Sequence, residues 1–397
     1  MGLERRKNAV YRGGMEVGGS IFAPMFTIAA TLYYPLYQLI VLVFTVGLCL
    51  RYANLSNRRL LGSAKVNYSQ LVPAVVLMLF VAFFIGFRPT GSNVFGDTVM
   101  YALSYESAWG WFDPSDIDSD WVFNYIMGYM AGQRMPLSWF FTVIDLLYFG
   151  LMYLACLKMF PRDSLLAFVV YLGAFSTFSF GTNGIRNGMA ASIFLCALAF
   201  WRSKVLVVGL ALLSFATHHG MMLPACALLC VWLVPRPRLW MAVWVVCLII
   251  AALHITWFQD LFAQLTDESG EGYLSTENMG EWGGTLEGKF RYDFVLYSAI
   301  PLWVGWRAMK KLRRPSARYR AVFNCYALCN SIWMLCMFAN FTNRIAYLSW
   351  FLIPILLVYP YLRQEFVRRQ YKELSLVAAL HFAFTLFMWL IYYKVLK

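Results

Sequence analysis

Two arginines open otherwise apolar stretches of this sequence, and ionisable groups in such surroundings point to function by default. Arg186 begins one apolar stretch and Arg344 begins a later one. A helix N-terminus carries about half a positive charge together with free N–H donors. An arginine at that position favours a dianionic group such as a phosphate, because its guanidinium can donate two parallel hydrogen bonds. The competing interpretation is a structural ion pair, with Asp145 as the candidate partner of Arg186.

Two adjacent histidines, His218 and His219, interrupt the apolar stretch 205–234. That stretch is longer than one membrane span needs and short for two. Basic residues flank it on both sides, at 202–204 and 236–238, so both of its ends are expected on the cytoplasmic side. It would then form two short helices, and such a break is tolerated only inside protein or beside a polar cavity. A neutral histidine there can act as a general base near pH 7.

The elements that must position these residues are transmembrane helices. The chain has 397 residues, of which 61% are hydrophobic and 13% charged, whereas a soluble domain carries about 25% charged residues. The predicted fold is one all-α integral membrane domain over 1–397, with about 10–12 transmembrane helices and a broken helix pair at 205–234. The other candidate spans are 27–50, 71–87, 136–160, 163–181, 185–201, 239–257, 293–309, 319–340, 344–362 and 374–393.

Charge is distributed unevenly along the chain and predicts which loops face outside. The loops 88–135 and 258–293 hold six and eight acidic residues, 14 of the 20 in the chain, but only 4 of the 33 basic residues. Because Lys and Arg mark cytoplasmic loops, both acidic loops are expected outside. The net charge of +13 then reflects topology and lipid contact rather than nucleic-acid binding. The side of the N-terminus stays open, since its basic residues favour the inside and a single span at 27–50 favours the outside.

The two outer loops are rich in residue types that bind carbohydrate. Loop 88–135 combines Trp, Tyr and carboxylates, and its tail from Trp121 to Met130 has the spacing of a helix lying in the membrane interface. Loop 258–293 is acidic and glycine-rich, and it is expected to act as a mobile flap. Aromatic rings stack on sugars, but an aromatic belt at the membrane interface explains them equally well. All nine cysteines fall in apolar stretches, and neither a disulfide nor a metal site is predicted.

Four short motifs follow one another between about residues 88 and 362. They are Gly96-Asp97 with Tyr101, Asn183 with Arg186 and Ala190, His218 at the helix break, and Asn343-Arg344. In this order they resemble the EpsG-like branch of the Wzy-type polysaccharide polymerases. The chain departs from that pattern at Asn187, where the family usually has Gln, and at Gly220, where it commonly has Ser. These departures leave open whether His218 or His219 is the working histidine.

The resemblance implies a C-type (GT-C) glycosyltransferase in a bacterial inner membrane, with its active site facing the periplasm. It would join undecaprenyl-pyrophosphate-linked oligosaccharide repeat units without a cofactor or metal, with membrane lipids and a chain-length regulator as further partners. Arg186 and Arg344 would hold the donor pyrophosphate, and Asp97, His218 or His219 would take the proton of the acceptor hydroxyl. The further substrate-binding candidates are Asn183, Asn187, Arg88, Tyr101, Asn343 and Arg291.

Three other functions are weighed against this one. An O-antigen ligase-like transferase shares the donor chemistry and differs in its acceptor. A flippase or other transporter is expected to have broken helices in both halves, whereas the sequence shows one such break, at 205–234. A membrane acyltransferase needs an acyl-donor site, and no motif specifies one.

Overall fold

The computed structural model describes residues 28–55, 65–91, 94–258, 289–312, 314–339, 342–365 and 367–391. Every regular element within these ranges is helical. The α-helices are α1 (Ala30–Ala53), α2 (Tyr68–Gly86), α3 (Asp97–Ser107), α4 (Trp121–Gly132), α5 (Leu137–Met159), α6 (Ser164–Leu172), α7 (Thr177–Thr182), α8 (Ile185–Ala199), α9 (Lys204–Thr217), α10 (Met222–Leu233), α11 (Pro237–Ala252), α12 (Tyr292–Lys311), α13 (Ala317–Leu335), α14 (Thr342–Trp350), α15 (Ile353–Arg363) and α16 (Gln370–Leu390). Short 3-10 helices lie at Pro114–Asp116 and His219–Met221. The N-terminal segment and most of loop 258–293 fall outside the described residues, and so do the predictions made for them.

Several of these helices are built to cross a membrane. Within the described ranges, α1, α2, α5, the consecutive pair α14–α15 and α16 are long and apolar enough to do so, and α8 to α11 are shorter apolar helices. The outward faces of α1, α2 and α16 expose large apolar side chains such as Leu32, Val72 and Leu376. Contiguous apolar surface of this kind is rare on soluble monomers. The prediction of an all-α integral membrane protein is confirmed.

Three of the apolar stretches are divided rather than continuous. The stretch 205–234 forms α9 and α10, and His218 between them has an extended backbone with φ −155° and ψ 120°. The stretches 163–181 and 344–362, which the sequence predicts as single spans, are each divided as well. Helix α6 ends at Leu172 and α7 begins at Thr177. Pro354 stands in the first turn of α15, where it has no N–H to continue the helix that precedes it.

Helices α5 and α8 form the centre of the molecule. Helix α5 packs on α2 and on α8, and α9 covers the other side of α8. Gly86 at the end of α2 lies so close to Thr142 of α5 that a Cβ would have no room. Ser214 of α9 donates a hydrogen bond of 2.7 Å to the carbonyl of Ala190 in α8. Helix α8, whose first turn carries Arg186, is thereby held from two sides.

The segment 94–135 folds into a compact cap made of α3, the first 3-10 helix and α4. Its tail is helical over Trp121–Gly132, close to the helix that the spacing predicts. The ring of Phe112 lies against Gly128 and leaves no room for a Cβ there. The hydroxyl of Tyr105 donates a 2.8 Å hydrogen bond to the carbonyl of Met135. These contacts fix the direction in which the start of α4 points.

Candidate active site

A buried carboxylate, Asp120, lies at the centre of the polar cluster. It precedes the first residue of α4 in a left-handed backbone conformation, φ 48° and ψ 46°, which places its side chain against α8 and the α9–α10 break. Arg186 Nη1 donates to Oδ2 at 2.9 Å, and the backbone N–H of His219 donates to Oδ1 at 2.8 Å. The side chain of Asp120 is 0% exposed. A carboxylate so enclosed needs several donors to remain ionised.

Both histidines of the break face this carboxylate through the same ring nitrogen. His218 Nδ1 lies 3.3 Å from Oδ2, and His219 Nδ1 lies 3.0 Å from Oδ1. A neutral imidazole that donates from Nδ1 keeps a lone pair on Nε2. A carboxylate that fixes this tautomer is the standard support for a histidine base. The geometry therefore suits proton abstraction by Nε2 of either ring.

The electrostatics of Asp120 and His218 fit the same roles. Burial by itself would raise the pKa of Asp120, but hydrogen bonds from His218 and His219 hold it well below its usual range. Burial lowers the pKa of His218, and the hydrogen bond to Asp120 opposes only part of that fall. At neutral pH the carboxylate is therefore charged and the His218 ring is neutral, which is the state that a general base requires.

The local fold explains where Arg186 stands. Helix α7 ends at Thr182, and the N–H groups of Asn183 and Gly184 both donate to the carbonyl of Ser179 at 2.9 Å. Gly188 then packs on the carbonyl of Phe180, where an added Cβ would lie 2.7 Å away. This tight turn starts α8 one residue before Arg186. The arginine is left 38% exposed, so its guanidinium stays within reach of a ligand.

A second ion pair lies beside the first. Arg344 Nη2 donates to both carboxylate oxygens of Asp97, at 3.2 and 3.0 Å. These side chains are 40% and 37% exposed. Tyr101, one turn after Asp97 on α3, connects the two pairs, because the Arg186 guanidinium lies 5.7 Å from its ring centroid. Burial raises the pKa of the Tyr101 phenol, which interacts electrostatically with Arg186, Asp97 and Arg344.

The structure thus brings together six of the residues singled out in the sequence and leaves three amides beside them. The six are Asp97, Tyr101, Arg186, His218, His219 and Arg344. Asn183 and Asn187 lie next to Arg186, and their side-chain oxygens are buried without a hydrogen-bond partner among the described residues. Asn343 donates to the hydroxyl of Tyr347 at 3.5 Å. Buried acceptors without a partner are uncommon in folded proteins, and the predicted contact of Asn183, Asn187 and Asn343 with substrate stays a prediction.

Arg88 lies elsewhere, in the protein interior. It is 2% exposed, and Nη1 donates to Asp145 Oδ2 at 3.1 Å while Nη2 donates to the carbonyl of Thr182 at 2.9 Å. These contacts occupy the guanidinium within the protein, and the predicted contact of Arg88 with substrate stays a prediction. They also exclude Asp145 as the partner of Arg186, because Asp145 pairs with Arg88 and Arg186 pairs with Asp120. Arg88 ties the end of α7 to α5 and so supports the turn that leads to Arg186.

Arg291 is engaged in its own helix. Its Nε and Nη2 donate to the two carboxylate oxygens of Asp293 at 3.0 and 2.8 Å. The guanidinium also lies 3.5 Å from the ring centroid of Phe294, and the side chain is 12% exposed. Arg291 directly precedes α12, these contacts hold its side chain against the first turn of that helix, and its predicted contact with substrate stays a prediction.

Asp120 is the site residue that sequence reasoning missed. It closes the acidic run that begins at Asp113, a segment for which carbohydrate binding and an aromatic belt at the membrane interface are equally good interpretations. Its partners lie 66 residues away at Arg186 and 98 and 99 residues away at His218 and His219. The available signal was an aspartate directly before a predicted helix, a position that favours Asp at helix starts. That signal identifies a helix cap and not a partner for histidines.

A metal is the alternative occupant of this cluster. Asp120, His218 and His219 offer ligand atoms within 4.8 Å of one another, a donor set that divalent metals accept. Arg186 already places its cation 2.9 Å from Oδ2, and it would repel a divalent ion on the same carboxylate. We therefore interpret the cluster as an acid–base group, and the absence of a metal requirement stays a prediction.

A sequence model of the EpsG family matches residues 71–397, which is well over half of the chain and includes all the residues of the cluster. Neither a curated protein nor a solved structure matches the sequence.

Proposed function

The chain belongs to the EpsG family of polysaccharide-polymerase-like membrane proteins, and from that premise we propose that it is a glycosyltransferase acting on lipid-linked sugars. It joins oligosaccharide repeat units carried on undecaprenyl pyrophosphate, at the periplasmic face of the bacterial inner membrane. The observation that carries the proposal is the buried Asp120 carboxylate, which holds both histidines and Arg186 at hydrogen-bond distance. A base and an anion-binding cation are thereby set side by side.

Arg186 and Arg344 bind the leaving group in this mechanism. As the bond between the donor sugar and pyrophosphate breaks, the electron pair stays with the pyrophosphate and its charge increases. Preorganised cations aimed at such developing charge often supply the largest catalytic term. Both arginine side chains are more than a third exposed, at 38% and 40%. Each also retains donors that its carboxylate does not occupy.

His218 takes the proton of the acceptor hydroxyl. Its Nδ1 faces Asp120, so Nε2 is the basic nitrogen. A Cβ at Gly220 would lie 3.0 Å from that Nε2, so the glycine keeps the base open to an acceptor. Asp97 is a weaker candidate for this role, because its carboxylate is held by Arg344 through both oxygens. His219 is 59% exposed and supports the same carboxylate from the other side.

Charge distribution supports the periplasmic orientation. The cluster draws Asp97 and Asp120 from loop 88–135, which is acidic, while the basic residues collect in the other connections. Lys and Arg are retained on the cytoplasmic side. An outer location also fits a donor whose repeat unit has already been transferred across the membrane.

Substitution of Arg186 tests the assignment. Cells that lack this chain are complemented with Arg186→Ala or with Arg238→Ala, and polymer is analysed by gel together with the protein level in membranes. Arg238 is a matched control, because it is also the second residue of an apolar helix, α11, and is exposed. We expect Arg186→Ala to leave single capped repeat units and Arg238→Ala to give full-length polymer. Polymer that accumulates unattached would assign the ligase-like function, and full-length polymer from well-expressed Arg186→Ala would refute the transferase assignment.

A further inference from the structure

An aromatic ladder runs along the exposed face of α4, starting at the active site. Trp121, Tyr125 and Tyr129 are spaced four residues apart and are 52%, 37% and 52% exposed. The rings of Trp121 and Tyr125 are stacked at 5.2 Å with an interplanar angle of 21°. The rings of Tyr125 and Tyr129 follow at 6.3 Å and 9°. Three nearly parallel rings in one row are a surface feature that folding of the chain alone does not require.

The ladder is held rigidly by the rest of the cap. Phe123, Met130 and Ala131 are buried on the other side of α4. Phe112 packs against Gly128 and presents its edge to Tyr125 at 5.8 Å and 75°. The rings therefore keep their positions before any ligand arrives, which lowers the entropic cost of binding.

The position of the ladder connects it with the proposed chemistry. Trp121 directly follows Asp120, the carboxylate that holds His218 and Arg186. Each four-residue step along a helix advances about 6 Å, so the three rings extend away from the base over about 12 Å. A glycan whose terminal hydroxyl reaches His218 could therefore place more than one of its sugar rings on the ladder.

Charge decides between a glycan and the membrane surface as occupant. The segment that leads into the ladder carries Asp113, Asp116 and Asp118, and the last two are exposed. Carboxylates repel the anionic headgroups that an interfacial helix usually meets, and such helices carry Lys and Arg on their polar face. The same carboxylates accept hydrogen bonds from sugar hydroxyls. An acidic, aromatic face fits a hydroxyl-rich, uncharged glycan.

We propose that Trp121, Tyr125 and Tyr129 form a binding track for the acceptor glycan, next to the base. This inference rests on the proposed function and adds a site for the sugars beyond the reacting one. The track keeps the acceptor chain in place between couplings, so its loss shortens the polymer while single couplings continue. Loss of Arg186, in contrast, stops every coupling.

The test replaces the two rings farther from Asp120 and so leaves the catalytic carboxylate untouched. Tyr125→Leu/Tyr129→Leu keeps apolar bulk without an aromatic face, and Tyr125→Phe/Tyr129→Phe keeps the faces. Trp303→Leu on α12 is the matched control, since Trp303 is an exposed aromatic at 61% and lies outside the ladder. In complemented cells we expect the leucine pair to give short products of a few repeat units, with full-length polymer from the phenylalanine pair and from Trp303→Leu.

A binding measurement on purified protein distinguishes the loss of glycan binding from a loss of polymer that is caused by misfolding. Oligosaccharides released from the polymer of the same cells are titrated onto the detergent-purified protein, with saturation-transfer NMR as the readout. The leucine pair should weaken binding about tenfold, and the phenylalanine pair should match the unsubstituted chain. Full-length polymer or unchanged binding with the leucine pair overturns the track. If Arg186→Ala still makes polymer, the proposed function fails instead.

Discussion

Substitution of Asp120 by asparagine gives the sharpest test of the active site. The change keeps the size of the side chain and removes its charge. The carboxylate accepts hydrogen bonds from Arg186, from the backbone and ring of His219, and from the ring of His218. Asparagine has one acceptor oxygen and one NH₂ donor. At least one of the two oxygen positions must then present a donor to groups that are themselves donors.

The structure sets the size of the expected effect. Hydrogen bonds to charged groups contribute about 1.5–3 kcal/mol each, and the substitution removes about two of them from Asp120. A loss of about 3–6 kcal/mol in transition-state stabilisation lowers the rate about 10²–10⁴-fold, at 1.36 kcal/mol for each factor of ten. Because Arg186 is 38% exposed and solvent screens its pairing, the lower part of that range is expected.

The assay uses purified protein and the lipid-linked repeat units extracted from cells that lack the chain, and it follows the rate against pH. Activity falls on acidification when His218 takes up a proton. The carboxylate of Asp120 favours that protonated ring, so its removal lowers the pKa of His218 further and moves the acidic limb to lower pH. Asp120 itself stays ionised throughout, because its pKa lies well below the usual range. Its own stabilising contribution is lost only as the pH falls towards that depressed pKa.

Glu106→Gln provides the control for this experiment. Glu106 is an exposed carboxylate of α3 in the same cap, and its substitution should change neither the rate nor the pH profile. An Asp120→Asn protein with the original rate and the original acidic limb would refute the Asp120–His218 pairing as the source of the base. A lowered rate with an unchanged acidic limb of the pH–rate profile would show that Asp120 positions Arg186 but does not affect the base.

Three further predictions follow from the described contacts. His218→Ala should lower the rate about 10²–10⁴-fold. Asp97→Asn should lower the rate about tenfold and change the free energy of unfolding by less than about 1 kcal/mol. A larger loss of rate in Asp97→Asn than in His218→Ala would identify Asp97 as the base. Gly220→Ala should lower the rate about tenfold without a change in thermal stability, because the added Cβ would stand 3.0 Å from His218 Nε2. An unaffected rate would show that this nitrogen is not the base. Asp145→Leu should lower the free energy of unfolding by about 3–5 kcal/mol, since it leaves the Arg88 cation buried without its carboxylate partner. Adding Arg88→Leu to the same chain should restore part of that loss, as measured by thermal unfolding in detergent. Additive losses from the two substitutions would contradict the pairing.

Chelation tests the prediction that no metal is required. Excess EDTA should leave the rate of the purified protein unchanged, because Arg186 supplies the positive charge beside Asp120. A loss of activity that added Zn²⁺ or Mg²⁺ restores would assign the donor set of Asp120, His218 and His219 to a metal.

Local features of the sequence determined the class of fold and several of the site residues. Apolar stretches of membrane length are readable without a structure, because hydrophobicity is a property of consecutive residues. The histidine pair at the α9–α10 break, together with Arg186 and Arg344 at helix starts, stood out for the same reason. Each opens or interrupts an apolar stretch, and the free-energy cost of burying an ionisable group in such surroundings marks it as a candidate for function.

Only the tertiary structure determined which charged residues form ion pairs with one another. Arg344 pairs with Asp97, which lies 247 residues away in the sequence, and Asp120 pairs with His218, which lies 98 residues away. Asp145, which the sequence offers as a partner for Arg186, pairs with Arg88 instead. Ion pairing depends on distance and burial, and several carboxylates in the chain are equivalent until packing separates them. The sequence therefore identified the cations and the histidines of this site, and the fold alone selected Asp120 as the carboxylate that joins them.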